Sequence, residues 1–164
     1  MRGLNTFIGS FDHNLDTKNR LFVPAKFREQ LSSVFVIKLL QSEYPCIQCY
    51  PKDDYYAYAD AILAQYSDPV IRHKKQFALY AGATEVTVDA QGRIMIPAAT
   101  TQRAHIDKAA MVVGMGDHVE IWDPDTFNAY YDFVSESAIA YEQAAEKEER
   151  ISVERKGNGE YLPG

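Results

Sequence analysis

The sequence contains no long apolar run, and this absence bounds the class of protein. No stretch approaches the ~20 consecutive apolar residues that a membrane-spanning helix needs, and no signal-peptide pattern opens the chain. We therefore expect a cytoplasmic protein with no membrane partner. Cysteine is also scarce, with 2 in 164 residues, so we expect no disulfide framework in that compartment.

The sequence offers little chemistry of the catalytic or metal-binding kind. Cys46 and Cys49 resemble half of a zinc site or a redox pair, but no second pair exists, and positions i and i+3 of a strand point to opposite faces. We interpret both as core residues, and we expect no metal and no cofactor. No triad order or paired carboxylates appear, so an enzyme is not expected. The histidines are expected at the surface or in turns: His13, His73, His105 and His118.

Charge is unevenly distributed along the chain. The net charge is −6, which argues superficially against nucleic acid. Residues 1–82, however, hold ten Lys/Arg against eight Asp/Glu, whereas residues 83–164 hold seven against fifteen. Four of the basic residues crowd one short stretch: Lys18, Arg20, Lys26 and Arg28. A local basic face on an acidic protein is compatible with this pattern, because the field near a site counts for more than the total.

One ten-residue stretch occurs twice. A shift of 73 positions places DAQGRIMIPA (89–98) on DTKNRLFVPA (16–25), and the same shift, without a gap, places Gly82 on Gly9 and Pro124 on Pro51. The sequence therefore predicts two copies of one unit. We call residues 9–58 the first copy and residues 82–131 the second copy.

Each copy of the motif predicts a strand, a tight turn, a second strand and a helix opened by proline. The side chains of Asp16 and Asp89 are expected to accept backbone hydrogen bonds that fix the turn. Asn19 and Gly92 share the position that favours positive φ. Pro24 and Pro97 fit the first position of a helix. Arg20 and Arg93 follow the turns, at the rim of a hairpin rather than in the core.

The remaining pattern alternates strands and helices. We expect strands at 4–9, 11–15, 34–40, 46–50, 85–88, 93–96, 110–113 and 119–122, and helices at 25–31, 51–67, 69–81, 98–104 and 124–134, with 136–150 helix-prone and the end of the chain frayed. One copy alone has too little sheet to cover its apolar face. We therefore expect the two copies to close over each other within one chain.

The doubled Asp-x-x-x-Arg-hydrophobic-Pro-Ala pattern resembles the MraZ family, which belongs with the AbrB-like swapped-hairpin DNA-binding proteins. The resemblance covers about residues 3–134. It implies an α+β fold with two tandem AbrB/MazE-like swapped-hairpin β-barrel repeats that form an intrachain pseudo-dimer with flanking helices. The implied boundaries are 3–81 for the first repeat, 82–134 for the second and 135–164 for a charged helical tail with a disordered end.

The resemblance also implies a function. Members regulate transcription of the bacterial division and cell-wall gene cluster, bind short G-rich direct repeats in the double-stranded DNA of their own promoter, and assemble into homo-oligomeric rings. Such a protein would be cytoplasmic and nucleoid-associated. The residues that match the family's DNA contacts are Arg20 and Arg93, with Lys18, Asn19 and Gln91 beside them, and Asp16, Asp89 and Gly92 as structural turn residues.

Several alternatives remain open on the sequence alone. Each arginine could instead pair with its aspartate to hold the turn, and the two roles can coexist. The chain departs from the family pattern at Asn19, where glycine is usual, and in the bland stretch Ala98–Thr101. An AbrB-like antitoxin or protein-binding scaffold, with an acidic tail at 142–149, is the second functional hypothesis. Gly114-x-Gly116 is read as a hairpin turn rather than a phosphate loop, and residues 72–75 as a solvated basic helix face.

Overall fold

A computed structural model describes residues 6–157 of the chain. The fold is α+β, with antiparallel strand pairing throughout. The elements, in chain order, are β1 (Ser10–Asn14), β2 (Arg20–Phe22), α1 (Ala25–Leu31), β3 (Val34–Leu40), β4 (Cys46–Pro51), α2 (Lys52–Leu63), α3 (Pro69–Tyr80), β5 (Ala83–Thr87), β6 (Arg93–Met95), α4 (Ala98–Arg103), β7 (Ala109–Gly114), β8 (Val119–Trp122) and α5 (Pro124–Gly157).

Most strand pairs join one copy to the other. A six-stranded sheet has the order β1-β7-β8-β4-β3-β5, and a separate two-stranded ribbon is formed by β2 and β6. Strand β1 of the first copy pairs with β7 of the second, and β5 of the second pairs with β3 of the first. Strands β4 and β8 join the copies at the centre of the sheet. Each copy therefore depends on the other for its backbone hydrogen bonds.

The main core lies between these sheets and helices α1 and α4. Its members come from both copies and include Phe27 and Leu31 of α1, Phe35 of β3 and Ile121 of β8, each at most 1% exposed. Burying such side chains stabilises the fold by about 25 cal/mol for each Å² of apolar surface removed from water. Smaller clusters cover the other face of the sheet, one around Tyr50 and Tyr55 and one around Cys46 and Trp122.

The helix starts follow the sequence signals closely. Asp68 caps α3, because its side chain accepts hydrogen bonds from the backbone N–H groups of Val70 and Ile71. Asp123 caps α5 in the same way through the N–H of Thr126. Pro24 and Pro97 occupy the cap position immediately before α1 and α4, one residue earlier than predicted.

Three predicted elements differ from the structure. The opening strand at 4–9 is wrong for the described residues 6–9, which form only an isolated bridge from Phe7 to Gly116. The backbone there crosses closely over Gly114, where a Cβ would lie 2.4 Å from the N atom of Ile8, so the segment follows the β7–β8 turn instead of pairing along a strand. Helix α2 ends at Leu63 rather than near position 67. Helix α5 does not end at 134 but continues to Gly157 as one helix, which confirms the helix-prone stretch at 136–150.

The two copies are not related by one gapless shift. Ser10 pairs with Val113, and its equivalent in the second copy, Ala83, pairs with Lys38. Lys38 of β3 is therefore equivalent to Val113 of β7, which is a shift of 75 positions. In the central pair of strands, Gln48 lies opposite Glu120, and one further residue pair lies on each side of them. Gln48 of β4 is therefore equivalent to Glu120 of β8, which is a shift of 72 positions. The loops around β3 and β7 absorb these differences. The shift of 73 holds for β1 and β5 and for the motif, in which Leu21 lies opposite Ile94.

The chain divides into two compact units, Met1–Phe127 and Asn128–Gly164. The first contains both sheets, α1 to α4 and the start of α5. The described part of the second is the rest of α5, on which no residue is buried. Among residues 6–157, no helix is both long enough and apolar enough to cross a membrane. The predicted frayed end, beyond Gly157, lies outside the described residues.

Candidate nucleic-acid interface

The β2–β6 ribbon brings the two copies of the motif together. Leu21 and Ile94 pair at its centre and are fully buried. Because side chains alternate between faces along a strand, the residues on either side of this pair point the other way. That outer face carries Arg20, Phe22, Arg93 and Met95, with Arg20 opposite Met95 and Phe22 opposite Arg93.

The turns that lead into the ribbon are built alike. Oδ1 of Asp16 accepts hydrogen bonds from the backbone N–H of Lys18 at 3.0 Å and of Arg20 at 2.9 Å. Asp89 accepts the two equivalent bonds, each at 2.9 Å. In both carboxyls the pKa is lowered, chiefly by the hydrogen bond from the backbone N–H of the following arginine. Both aspartates are therefore charged acceptors that fix the turn, as predicted.

Each aspartate also holds the arginine that follows it. Nε of Arg20 donates to Oδ2 of Asp16 at 2.6 Å, and Nε of Arg93 donates to Oδ2 of Asp89 at 2.9 Å. Nη1 of Arg93 also lies 3.7 Å from Oδ2 of Asp16, so both guanidiniums approach one carboxylate oxygen. The expected structural pairing is present, and it gathers the two arginines at one place on the ribbon.

The two arginines keep donors for a ligand. Their side chains are each 28% exposed, so neither is sealed in the core. The aspartates engage the Nε edge, and within residues 6–157 neither guanidinium makes a further hydrogen bond. The Nη nitrogens, on the outer face of the ribbon, therefore keep hydrogen-bond donors for a ligand, although Nη1 of Arg93 also forms the ion pair with Asp16 at 3.7 Å. Surface ion pairs of this kind contribute little to stability, so the arrangement orients the guanidiniums more than it stabilises the fold.

The other predicted contact residues occupy different environments. Lys18 and Gln91 are exposed at the tips of the two turns. Asn19 has φ +60 and Gly92 has φ +81, as expected for that turn position. The amide of Asn19, however, donates to the carbonyl oxygen of Ile96 at 2.7 Å and to Oγ1 of Thr101 at 3.1 Å. Its side-chain donors are thus directed into the protein.

Arg28 lies beside the second turn, a position that sequence reasoning did not assign. Its Nε donates to the carbonyl oxygen of Val23 at 2.8 Å, and its Cζ lies 5.3 Å from the centroid of the Phe22 ring. A Cβ built on Gly92 would lie 2.9 Å from that same Cζ. The absence of a side chain at Gly92 therefore makes room for the Arg28 guanidinium. The cluster of basic residues at 18–28 was the only sequence signal for it.

Sequence reasoning also did not predict a buried hydrogen-bond network around Glu120 of β8. Glu120 is 6% exposed and accepts hydrogen bonds from Trp122 Nε1, Gln48 Nε2 and His118 Nε2 at 3.1, 3.2 and 2.9 Å. The other ring nitrogen of His118 lies 2.7 Å from Asp117. His118 lies in the turn between β7 and β8, as expected, but it is half-buried and paired with two carboxylates, which sequence reasoning did not predict. A glutamate inside the apolar run Val-Glu-Ile-Trp was the available signal.

The cysteines are core residues, as predicted. Cys46 and Cys49 are at most 1% exposed and belong to clusters on opposite faces of the sheet. Burial raises the pKa of both thiols, so neither is a reactive thiolate. Within residues 6–157, no group of three or more His, Cys, Asp or Glu side chains is arranged to hold a metal ion.

Comparison with known proteins identifies the family of the chain. A family model described as "MraZ protein, putative antitoxin-like" matches residues 6–76 and again residues 79–150. The chain belongs to the MraZ family. Each match contains one of the two Asp-x-x-x-Arg turns, at 16–20 and 89–93, so both halves of the ribbon lie within the family match.

Two relatives illustrate the similarity. The "Transcriptional regulator MraZ" of Lactiplantibacillus plantarum is 38% identical over 144 residues, which cover 85% of this chain and 96% of the relative. The protein of the same name from Heliobacterium modesticaldum is 34% identical over 142 residues, which cover 86% and 95% of the two chains. This member of the MraZ family therefore has close relatives that carry the name of transcriptional regulators.

Proposed function

We propose that this chain is a sequence-specific DNA-binding transcriptional regulator and not an enzyme, and that the outer face of the β2–β6 ribbon is its reading surface. The observation that carries the proposal is the convergence of Arg20 and Arg93, from two distant parts of the sequence, on one carboxylate oxygen of an exposed ribbon. Family membership and the names of the relatives support it.

The chemistry of the ribbon suits base recognition. A two-stranded β-ribbon fits the DNA major groove, and an arginine can donate two parallel hydrogen bonds to O6 and N7 of guanine. The aspartates that hold Nε of Arg20 and Arg93 present the Nη ends at a fixed angle. Such orientation before binding reduces the entropy lost on binding. The exposed ammonium of Lys18 suits a phosphate, which fixes register without carrying sequence information.

We propose that the promoter site consists of short G-rich direct repeats in the DNA ahead of the chain's own gene, within the division and cell-wall cluster, as the family resemblance implies. One ribbon presents few base contacts, so one subunit binds weakly. A ring of subunits that engages successive repeats would raise the overall affinity by roughly 10²–10⁴. The swapped-hairpin pseudo-dimer, supported by the cross-copy pairing of β2 with β6, would form each reading unit.

The test removes both guanidiniums. We expect Arg20→Ala combined with Arg93→Ala to abolish the gel shift of promoter DNA while the fold, followed by circular dichroism, stays intact. The matched control is Arg72→Ala with Arg150→Ala, which removes the same charge from α3 and α5. Wild-type affinity in the ribbon variant would refute the site assignment.

A second candidate is an AbrB-like antitoxin or protein-binding scaffold. The description of the matched family as antitoxin-like favours it, as does the exposed acidic stretch of α5. Salt dependence discriminates the two functions, because DNA binding weakens steeply as salt is added. A chain that binds a partner protein with little salt dependence, and no promoter DNA, would establish the alternative.

A further inference from the structure

The two ends of the ribbon are unequal. We propose that Arg28 binds a backbone phosphate of DNA beside the second turn, and that its replacement by Thr101 in the second copy makes the two ends of the ribbon bind DNA unequally. This inference rests on the proposed function, since it assigns one more contact and a polarity to the same surface.

The inequality comes from two matched pairs of residues. Within the motif the shift of 73 places Thr101 of α4 on Arg28 of α1, and it places Gly92 on Asn19. Arg28 lies against Gly92, and Thr101 is hydrogen-bonded to Asn19. The long side chain thus faces glycine, and the short one faces asparagine. The two departures from the family pattern, at Asn19 and in α4, are therefore one packing unit.

The Arg28 guanidinium is held in place by its neighbours, but its Nη nitrogens have no hydrogen-bond partner among residues 6–157. The ring of Phe22 has Cζ of Arg28 over it at 5.3 Å, and it contacts the ring of His13, with the two ring centroids 5.2 Å apart. Nε of Arg28 donates to Val23, and within the described part of the chain its two Nη nitrogens make no hydrogen bond. A guanidinium stacked on an aromatic face with both Nη nitrogens free to donate is an arrangement that suits a phosphate.

Arg28 lies next to the proposed base-reading residues. Phe22, against which it stacks, is the cross-strand partner of Arg93. One end of the ribbon therefore presents Arg93, Phe22 and Arg28. The other end presents Lys18, Arg20 and the 59% exposed Met95, whereas its neutral Thr101 is buried.

An unequal ribbon has a preferred orientation on DNA. A reading unit with two equal ends would fit a two-fold symmetric site, because the symmetry of a site mirrors that of the protein that binds it. Arg28 supplies the phosphate contact at one end and Lys18 supplies it at the other, so the two ends bind phosphate differently and the ribbon has a preferred direction. Such a unit is suited to sites that repeat in the same direction.

The test measures how many phosphates the protein neutralises. A fluorescent duplex of the DNA directly upstream of the gene is titrated with the full chain over a series of salt concentrations. We expect Arg28→Met to lower the affinity roughly tenfold and to reduce the slope of log K against log salt by about 0.9, the value for one phosphate. Arg28→Lys should keep the slope, because it keeps the charge.

Matched variants separate binding from packing. Arg72→Met removes the same charge and a comparable hydrogen bond, to the carbonyl oxygen of Leu63 at 2.9 Å, from α3, and it should leave the slope unchanged. Asn19→Gly with Thr101→Arg rebuilds the Gly92–Arg28 arrangement at the other end, and it should increase the slope by about 0.9. If Arg28→Met does not fold, the increase in slope of the Asn19→Gly/Thr101→Arg variant tests the inference instead.

Four results would overturn the inference. An equal slope in Arg28→Met and Arg72→Met, or an equal loss in Arg28→Lys and Arg28→Met, would make Arg28 a packing residue while the proposed function stands. The absence of a gain in a folded Asn19→Gly/Thr101→Arg variant would do the same. Failure of the wild-type chain to bind the duplex would overturn the proposed function together with this inference.

Discussion

At the scale of single residues, the turn of the second copy depends on the absence of a side chain. Gly92 and Gly116 have the same φ of +81, but a Cβ at Gly92 would lie 2.9 Å from Cζ of Arg28 and 3.0 Å from Cε2 of Phe22, whereas a Cβ at Gly116 would meet no atom within 4 Å. The pair therefore separates the backbone contribution from the steric one. Both substitutions strain the backbone, and only one also forces neighbours to move.

We expect Gly92→Ala to lower the free energy of unfolding more than Gly116→Ala does. Strain at an unfavourable φ costs about 1–3 kcal/mol, and the contacts with Arg28 and Phe22 add to it at position 92 only. Urea denaturation of the two variants beside the wild type measures the difference. Equal loss at both positions would mean that Arg28 does not occupy the space described.

The His118–Glu120 pair gives stability a defined dependence on pH. Burial opposes the charge of His118, but hydrogen bonds to Glu120 and Asp117 outweigh it and raise its pKa above 6.5. Burial likewise opposes the charge of Glu120, and the hydrogen bonds from His118 and Gln48 outweigh it and lower its pKa below 4.5. The histidine contribution is complete below pH 6.5 and the glutamate contribution above pH 4.5, so both are complete between these values.

We expect the free energy of unfolding of the wild type to fall as the pH rises from 6 to 8, because His118 loses its proton in the folded state. His118→Gln should lose most of that decline. Urea midpoints at a series of pH values measure it, with His73→Gln on the exposed surface of α3 as the control. Parallel pH curves for the His118 variant and the wild type would contradict the assignment of the pair.

At the scale of elements, the ribbon separates a buried face from an exposed one within three residues. Ile94 is fully buried against Leu21, whereas Met95 next to it is 59% exposed. We expect Ile94→Ala to destabilise the fold by about 2–5 kcal/mol and Met95→Ala to change it by about 0.5 kcal/mol or less. Chemical denaturation checks both. A comparable loss at Met95 would contradict the alternation on which the outer face depends.

The elements also show what the sequence can and cannot predict. The bounds of α1 and β3 were predicted residue for residue, because Pro24 marks the start of the helix and β-branched residues mark the strand. The turns with Asp16 and Asp89 were predicted for the same reason. The shifts of 75 and 72 were not, since they depend on loop lengths that alter pairing register without changing any local pattern. The contacts of Asn19 with Thr101 and of Arg28 with Gly92 join distant positions, so neither could be predicted locally.

At the scale of the whole molecule, the two copies form one interdependent structure in the unit that contains them. Strands β1, β2, β3 and β4 of the first copy all pair with strands of the second. Neither half can satisfy its strand hydrogen bonds or cover its core alone. The folding of each copy should therefore require the other.

We expect a monomeric fragment 1–81 to show no cooperative unfolding transition, and the same of fragment 82–164. Mixing the two should restore a sigmoidal transition and the circular dichroism of the intact chain. Analytical ultracentrifugation confirms the mass of each species. A monomeric half with its own cooperative transition would show that the copies fold independently.

The central claim is that Arg20 and Arg93 read bases, and the most direct measurement of it is sequence discrimination. Arg20→Lys with Arg93→Lys keeps both charges but removes the planar fork that guanine recognises. The quantity to measure is the ratio of affinities for promoter DNA and for a scrambled duplex at one salt concentration. The account predicts that this ratio falls towards one while binding to the scrambled duplex persists. An unchanged ratio would contradict it.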